Sequence, residues 1–193
     1  MVGAPLPDWY DDLEGFERAC WRLIARGVAD RRSPFHTPVL ANVGLDGEPE
    51  ARTLVLRACD ETRRTLRFHT DLRAAKVAAL RERPVVAVTF YDKTTKLQVR
   101  CKGSAHIGAK ADETGRDAWA ATRSFSRECY RVAPAPGSKI TEGSQYGHPD
   151  RDDEGEENFG ALVINVTMTE ALYLAAAGHR RARFDSERTW LVP

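Results

Sequence analysis

The chain predicts a mainly β domain with flanking helices, its strands mostly antiparallel and rolled toward a barrel. Three observations carry that reading. Six or more short apolar runs of strand length are separated by turn residues, and only a few amphipathic stretches interrupt them. Asp46-Gly47 stands between two of the runs, and a tight hairpin turn needs the positive φ that Gly supplies. The run "TKLQVRCKGSAHI" alternates strictly, with Leu97, Val99, Cys101, Ala105 and Ile107 on one face and Lys96, Gln98, Arg100, Lys102, Ser104 and His106 on the other. Such patterning points to a barrel-like sheet with one apolar side.

In chain order, residues 8–32 form the first expected element, a helix. Trp9, Leu13, Phe16, Cys20, Leu23 and Ile24 recur at helical steps, Asp11, Asp12 and Glu14 lie early where the dipole favours acids, and Pro34 stops the run. Strands follow at "TPVLANVG", "EARTLVLRAC" and "TLRFHT", the second read as one continuous strand. "RAAKVAALRER" reads as a short helix ended by Pro84, then "VVAVTFYD" and "TKLQVRCKGSAHI" as strands, and Asp112–Arg123 as a helix. Residues 124–158 are irregular, with "PAPG" and "HPDRDDEGEEN" as loop signals, and "ALVINVTMTEALYL", "RARFD" and "TWLVP" close the sheet. A length of 193 residues with no repeat or linker is expected to make one domain, 1–193.

Composition narrows function by exclusion. The net charge is +1, from 29 basic and 28 acidic residues, so no global field is available for nucleic acid or an anionic membrane. The start lacks a signal-peptide pattern, no apolar run has membrane-span length, and the four scattered cysteines suit a reducing cytoplasm. Neither a P-loop nor a dinucleotide fingerprint is present, and the five histidines form no zinc pattern. The run from Asp150 imitates a calcium loop but places Ala161 where the bidentate Glu belongs, and "GSQYG" has its Ser one place early for a nucleophile elbow.

What remains is a set of basic and polar residues on neighbouring strands: Arg52, Arg57, His69, Thr70, Lys76 and Gln98. Thr70-Asp71 lies where a strand hands over to the helix of Lys76, a junction whose free N–H groups suit a phosphate. Arg52 and Arg57 are five residues apart, which on one regular strand sets them on opposite faces roughly 16 Å apart. By themselves they read either as solvated strand ends or as parts of a site that grips two ends of a ligand, or two subunits.

Taken in order, "RTLVLR" (52–57), "FHTD" (68–71), "RAAK" (73–76), "QVRCKGSA" (98–105) and "RARF" (181–184) followed by "TW" resemble the pyridoxamine 5'-phosphate oxidase-related FMN-binding split-barrel family. The resemblance implies a split β-barrel, FMN as cofactor, and a homodimer with FMN sites at the interface. It implies that Arg52, Thr53, Leu54, Val55 and Arg57 line the flavin. His69 and Thr70, Lys76, Gln98, Tyr173 and Arg183 fall on further cofactor positions, with Lys76 at the phosphate. Arg127, Tyr130 and Arg181 are candidates for the substrate side. Where the family's oxidases hold substrate with Arg and His, this chain has His179 and Arg181, and Ala74-Ala75 replace a Ser-Arg pair. Cofactor binding is therefore expected to survive better than pyridoxamine phosphate oxidation. The function expected is an FMN-dependent oxidoreductase for an unidentified small substrate, anions among the candidates. The alternatives are a non-catalytic FMN-binding or redox-sensing module, the same fold with haem or another cofactor, for which no histidine is compelling as an axial ligand, and, behind these, a true pyridoxamine 5'-phosphate oxidase.

Overall fold

The computed structural model describes residues 5–143 and 155–193, and within them nine antiparallel strands form one sheet. The strands are β1 (Val39–Val43), β2 (Pro49–Thr53), β3 (Leu56–Asp60), β4 (Thr65–Asp71), β5 (Val85–Asp92), β6 (Leu97–Gly108), β7 (Phe159–Tyr173), β8 (Arg180–Phe184) and β9 (Arg188–Leu191). They pair in the order β2-β1-β5-β6-β7-β4-β3, with β8 on β7 and β9 on β8. β7 carries β6 along one edge; its other edge is divided between β4, from Phe159 to Asn165, and β8, from Thr169 to Tyr173.

The sheet does not close. Its two ends, β2 and β3, are joined through the chain by Leu54 and Val55 alone. The run expected as one strand is thus two. Leu54 carries the β1–β2 register one bond further, donating its N–H to the Pro38 carbonyl (3.0 Å), before the chain crosses from one edge of the sheet to the other. Apolar, β-prone residues fill the crossing, so nothing in its composition marks the break.

Inward residues of the curled sheet make the core: Leu40, Leu56, Leu66, Phe68, Val88, Phe90, Leu97, Val99, Ile164 and Phe184 are all buried. Helix α1 (Leu13–Ala29) packs against it through Phe16, Cys20, Trp21 and Ile24, a stripe at three- and four-residue steps. Each large side chain so buried contributes about 1.5–3 kcal/mol. The helix begins later than the 8–32 expectation because Asp12 caps it, accepting from Glu14 N–H (3.1 Å), while Pro7 to Asp12 make turns before it. Glu17, 6% exposed, ties α1 to the barrel by pairing with Arg64 and with Arg188 Nε (2.7 Å). The Gly47 turn has the expected positive φ, 87°. At Gly103 a Cβ would lie 2.0 Å from the Asn165 carbonyl, so the β6–β7 irregularity there needs glycine.

Helices α2 (Ala75–Glu82) and α3 (Glu113–Ala120) sit where the patterning puts them. Residues 124–130, expected to be irregular, hold a helical turn α4 (Ser124–Arg127) and a 3-10 turn (Glu128–Tyr130). A second small core of Trp119, Tyr130, Phe159 and Ala161 lies beneath them. The four cysteines are free, and burial pushes the Cys101 thiol up to about 12, which suits a packing role. The calcium-like run from Asp150 to Glu154 and most of "GSQYG" lie outside the described residues.

Candidate functional site

The residues singled out in the sequence separate into four places. The first is the junction of β4 and α2. Arg52 points to the same side as its β1 partner Leu40, where it binds Asn42 and Glu50 (2.5 Å to the latter). Thr70 is buried beside Asp71, whose carboxylate is gripped by Arg73 through Nε (3.0 Å) and Nη2 (2.6 Å). Lys76, half-buried on the first turn of α2, forms no ion pair among the described residues. Burial, then the neighbouring Arg52 charge, lowers its pKa against the opposing pull of Asp71 and Glu50. Three cations share this corner, and among the described residues Lys76 alone of the three lacks a carboxylate partner.

The second place is a pocket of about 230 Å³ on the outward side of β3 and β4. The pairing of β3 with β4 shifts between Leu56 and Ala58, which makes Arg57 the extra residue of a bulge. A bulge re-aims a side chain, and here it sets Arg57 beside Arg67. The opposite-face relation expected for Arg52 and Arg57 therefore arises from two edges of a sheet and a bulge, and a single straight strand has no part in it. Arg67 and His69, two residues apart on β4, face the same pocket, and Arg31, His36, Arg123 and Ser126 also line it. Among the described residues no carboxylate lines it. Arg57 Nε, Arg67 Nε and His69 Nε2 are buried without a hydrogen-bond partner among the described residues. Burial, then the Arg57 and Arg67 charges, pulls the His69 pKa down to about 3, so its ring is neutral at physiological pH. The ring packs edge-on against Phe159 at 4.8 Å.

The third place is the outward face of the sheet. Tyr91, Gln98, Leu172 and Arg181 stand in one cross-strand row, and Thr53, Val39, Thr89, Arg100, Glu170 and Arg183 in the next. Glu170 accepts from Arg100 (2.5 Å) and Arg181 (2.8 and 3.0 Å); burial opposes its charge, but these two guanidinium groups prevail and hold its pKa below the usual range. Arg183 pairs with Asp185 (2.9 Å). Leu54 and Val55 lie half-buried at the crossing between β2 and β3.

The remaining candidates lie apart. Tyr173 faces inward and meets Trp9 (5.0 Å) and Tyr10 (6.1 Å) edge-on. Arg127 closes the end of α3, donating to the Thr122 and Trp119 carbonyls (3.0 Å each) and covering the Trp119 ring at 4.5 Å. Tyr130 is 7% exposed within the small core. His179 accepts the Ala175 N–H (3.2 Å) and shapes the β7–β8 turn. The sequence reading passed over Arg67 and Arg123. Arg67 was findable, since it stands two places before His69 in a strand. Arg123 had no local signal, because α3 brings it to the pocket from a distant part of the chain.

Among the described residues no group of three potential metal ligands occurs, and no helix is long and apolar enough to cross a membrane. The family described as pyridoxamine 5'-phosphate oxidase, FMN-binding domain, matches residues 18–109. Pyridoxine/pyridoxamine 5'-phosphate oxidase 2 of Arabidopsis thaliana is 32% identical over 133 residues, covering 64% of this chain and 67% of the relative. Pyridoxine/pyridoxamine 5'-phosphate oxidase of Rubrobacter xylanophilus is 38% identical over 85 residues, which is 44% of this chain and 37% of that protein. The chain thus spans two thirds of the plant relative and well under half of the bacterial one. Among solved structures, a pyridoxamine 5'-phosphate oxidase-related, FMN binding protein from Nostoc punctiforme superposes with a TM-score of 0.74 at 23% identity, over 98% of this chain and 100% of its own. PhzG from Burkholderia lata, solved with tetrahydrophenazine-1-carboxylic acid, gives 0.73 at 17% identity over 100% of both chains. These two likenesses carry the split-barrel fold.

Proposed function

This chain belongs to the pyridoxamine 5'-phosphate oxidase-related FMN-binding family, and from that premise we propose that it is an FMN-dependent oxidoreductase acting as a homodimer on a small anionic substrate. The β4–α2 corner fits the cofactor's phosphate. Lys76 brings a charge without an ion-pair partner, Arg52 a second cation, and Thr70 a hydroxyl at a strand–helix junction. Gln98 and Arg183, on the outward face, are the residues proposed to meet the ring, with Thr53, Leu54 and Val55 along its edge. When bound, FMN supplies the hydride chemistry; the protein supplies binding, orientation and exclusion of water.

The observation that carries the substrate class is the pocket of Arg57, Arg67, His69 and Arg123. Buried N–H donors without partners are uncommon, and cations without a carboxylate among them favour an anion. The pocket is too small for a flavin and suits a phosphate or carboxylate group. A neutral His69 offers a hydrogen bond there without adding charge.

A second copy has a surface to cover. On the outward side of β1 and β5, Val39 (39% exposed), Val85 (68%) and Tyr91 (50%) stand with Ala41 and Ala87 as a mostly apolar strip, interrupted by Thr89, beside the Arg100–Glu170–Arg181 cluster.

The non-catalytic reading has one observation in its favour: Arg181, Arg183 and His179 are all engaged within the chain. One experiment separates the two. The purified protein is loaded with FMN and mixed without oxygen with phosphorylated and carboxylated amines and alcohols. Bleaching of the flavin by one of them, lost in Arg57→Ala while FMN stays bound, supports the enzyme. An unbleached flavin across the panel supports the binder, and release of no FMN on denaturation defeats both.

A further inference from the structure

A larger cavity, about 720 Å³, lies along α1 from Ala19 to Arg26 and shares no lining residue with the anion pocket. Its size falls within the range of about 300–1,000 Å³ typical of small-molecule sites. Three parts of the chain wall it: the segment from Pro5 to Trp9 with the outer side of α1, the β5–β6 turn, and the β7–β8 turn. The two turns are tied together, since Leu174 N–H donates to the Lys96 carbonyl (3.0 Å). Nothing in the proposed flavin reaction uses this space.

The wall is rigid and aromatic. Trp9 lies flat on Phe16, with ring centres 4.8 Å apart and planes 4° from parallel, and Tyr173 meets its edge at 5.0 Å. Leu23 and Leu97 add aliphatic surface, and Leu6 stays 43% exposed beside them. Among the described residues the charged side chains that line the cavity have one sign: Arg22, Arg26 and Lys96. Arg26 is answered by Asp30 (3.3 Å), whereas Arg22 and Lys96 form no ion pair among the described residues. Lys96 holds its place with a φ of 56°, a turn conformation usually left to Gly or Asn.

An apolar body with a single negative end matches both the wall and the rim. We propose that this cavity binds a small aliphatic carboxylic acid, its hydrocarbon chain against Trp9, Tyr173 and Leu23 and its carboxylate answered by Arg22 and Lys96. A neutral chain gains only the wall, and a short carboxylate gains only the rim, where water competes.

Decanoate is the probe, with decanol and butyrate as comparisons, titrated calorimetrically into the full-length FMN-loaded protein. Saturable one-site binding of decanoate, with butyrate and decanol each at least about tenfold weaker, is the expected result. In the double variant Arg22→Gln, Lys96→Asn, decanoate should weaken by about tenfold while decanol changes by less than about twofold. Leu23→Asp should abolish binding of both, and the FMN content and circular dichroism of each variant certify its fold. Absence of saturable binding to the unaltered protein overturns the proposal. So does decanoate affinity in the double variant within about twofold of the original, because the charges would then play no part.

Discussion

Arg57 lies on a bulge beside Arg67, and the Nε atoms of both are buried with no hydrogen-bond partner. Like charges held together in this way cost stability until an anion joins them. Arg57→Met should therefore stabilise the ligand-free protein by about 1 kcal/mol, or roughly 2–4 °C in melting temperature for a chain of this size. The same change should remove the stabilisation that added phosphate gives the parent. Thermal melts with and without phosphate test it, and a destabilised variant that still responds to phosphate rejects the assignment.

His69 carries a pH prediction. Its pKa is about 3 in the folded chain against an ordinary 6.5, so the unfolded chain takes up the proton first as pH falls. The stability contributed by keeping the ring neutral is present above about pH 6.5 and is lost between 6.5 and 3. At pH 5 the loss should be about 1–2 kcal/mol, allowing for the partial exposure of the ring. His69→Gln should flatten that part of the denaturant-measured stability profile. An unchanged slope would mean that other groups produce it.

Lys76→Ala should weaken FMN binding by about 1–3 kcal/mol through the loss of a charge-assisted contact. The fold should hold, since alanine suits the first turn of a helix and Lys76 closes no ion pair among the described residues. Flavin fluorescence titration measures it, and an unaltered dissociation constant would take Lys76 out of the cofactor site.

Val85→Asp places a carboxylate on the apolar strip of β5. The parent should run as a dimer by light scattering, and the variant as a monomer with much reduced FMN content. A monomeric parent that retains FMN would show that each site is complete within one chain.

Turnover of pyridoxamine phosphate should stay below about 1 per second, the low end of ordinary enzymes. His179 is spent on the Ala175 N–H and Arg181 on Glu170, so neither side chain is free to hold substrate without giving up an internal bond. Hydrogen peroxide production with this substrate checks the point. If turnover is fast and Arg181→Ala abolishes it, Arg181 leaves Glu170 during the reaction.

Much of this architecture was readable in advance, for identifiable reasons. Alternation along β6, the Gly47 turn and the α1 stripe are local signals, each written within one or two turns of chain. The break at Leu54 and Val55 was hidden because apolar residues are equally at home in a strand and in a half-buried crossing. Arg127 and Tyr130 looked like candidates for contact with substrate, yet Trp119 and Phe159 draw them into a small core assembled across distant segments. At Tyr173 the side of the sheet decides its neighbours. The strand position was clear, but the helix segment lying over it was not.

The crossing between β2 and β3 gives the barrel a seam. Arg52 belongs to one lip of that seam and Arg57 to the other, so the phosphate proposed at Arg52 and the substrate anion proposed at Arg57 would each brace one lip of an opening that the ladder leaves unlaced. Occupancy should then be registered in the backbone: the amides of Leu54 and Val55 are expected to exchange more slowly with both lips braced than with both empty, while the core strands keep their own clock.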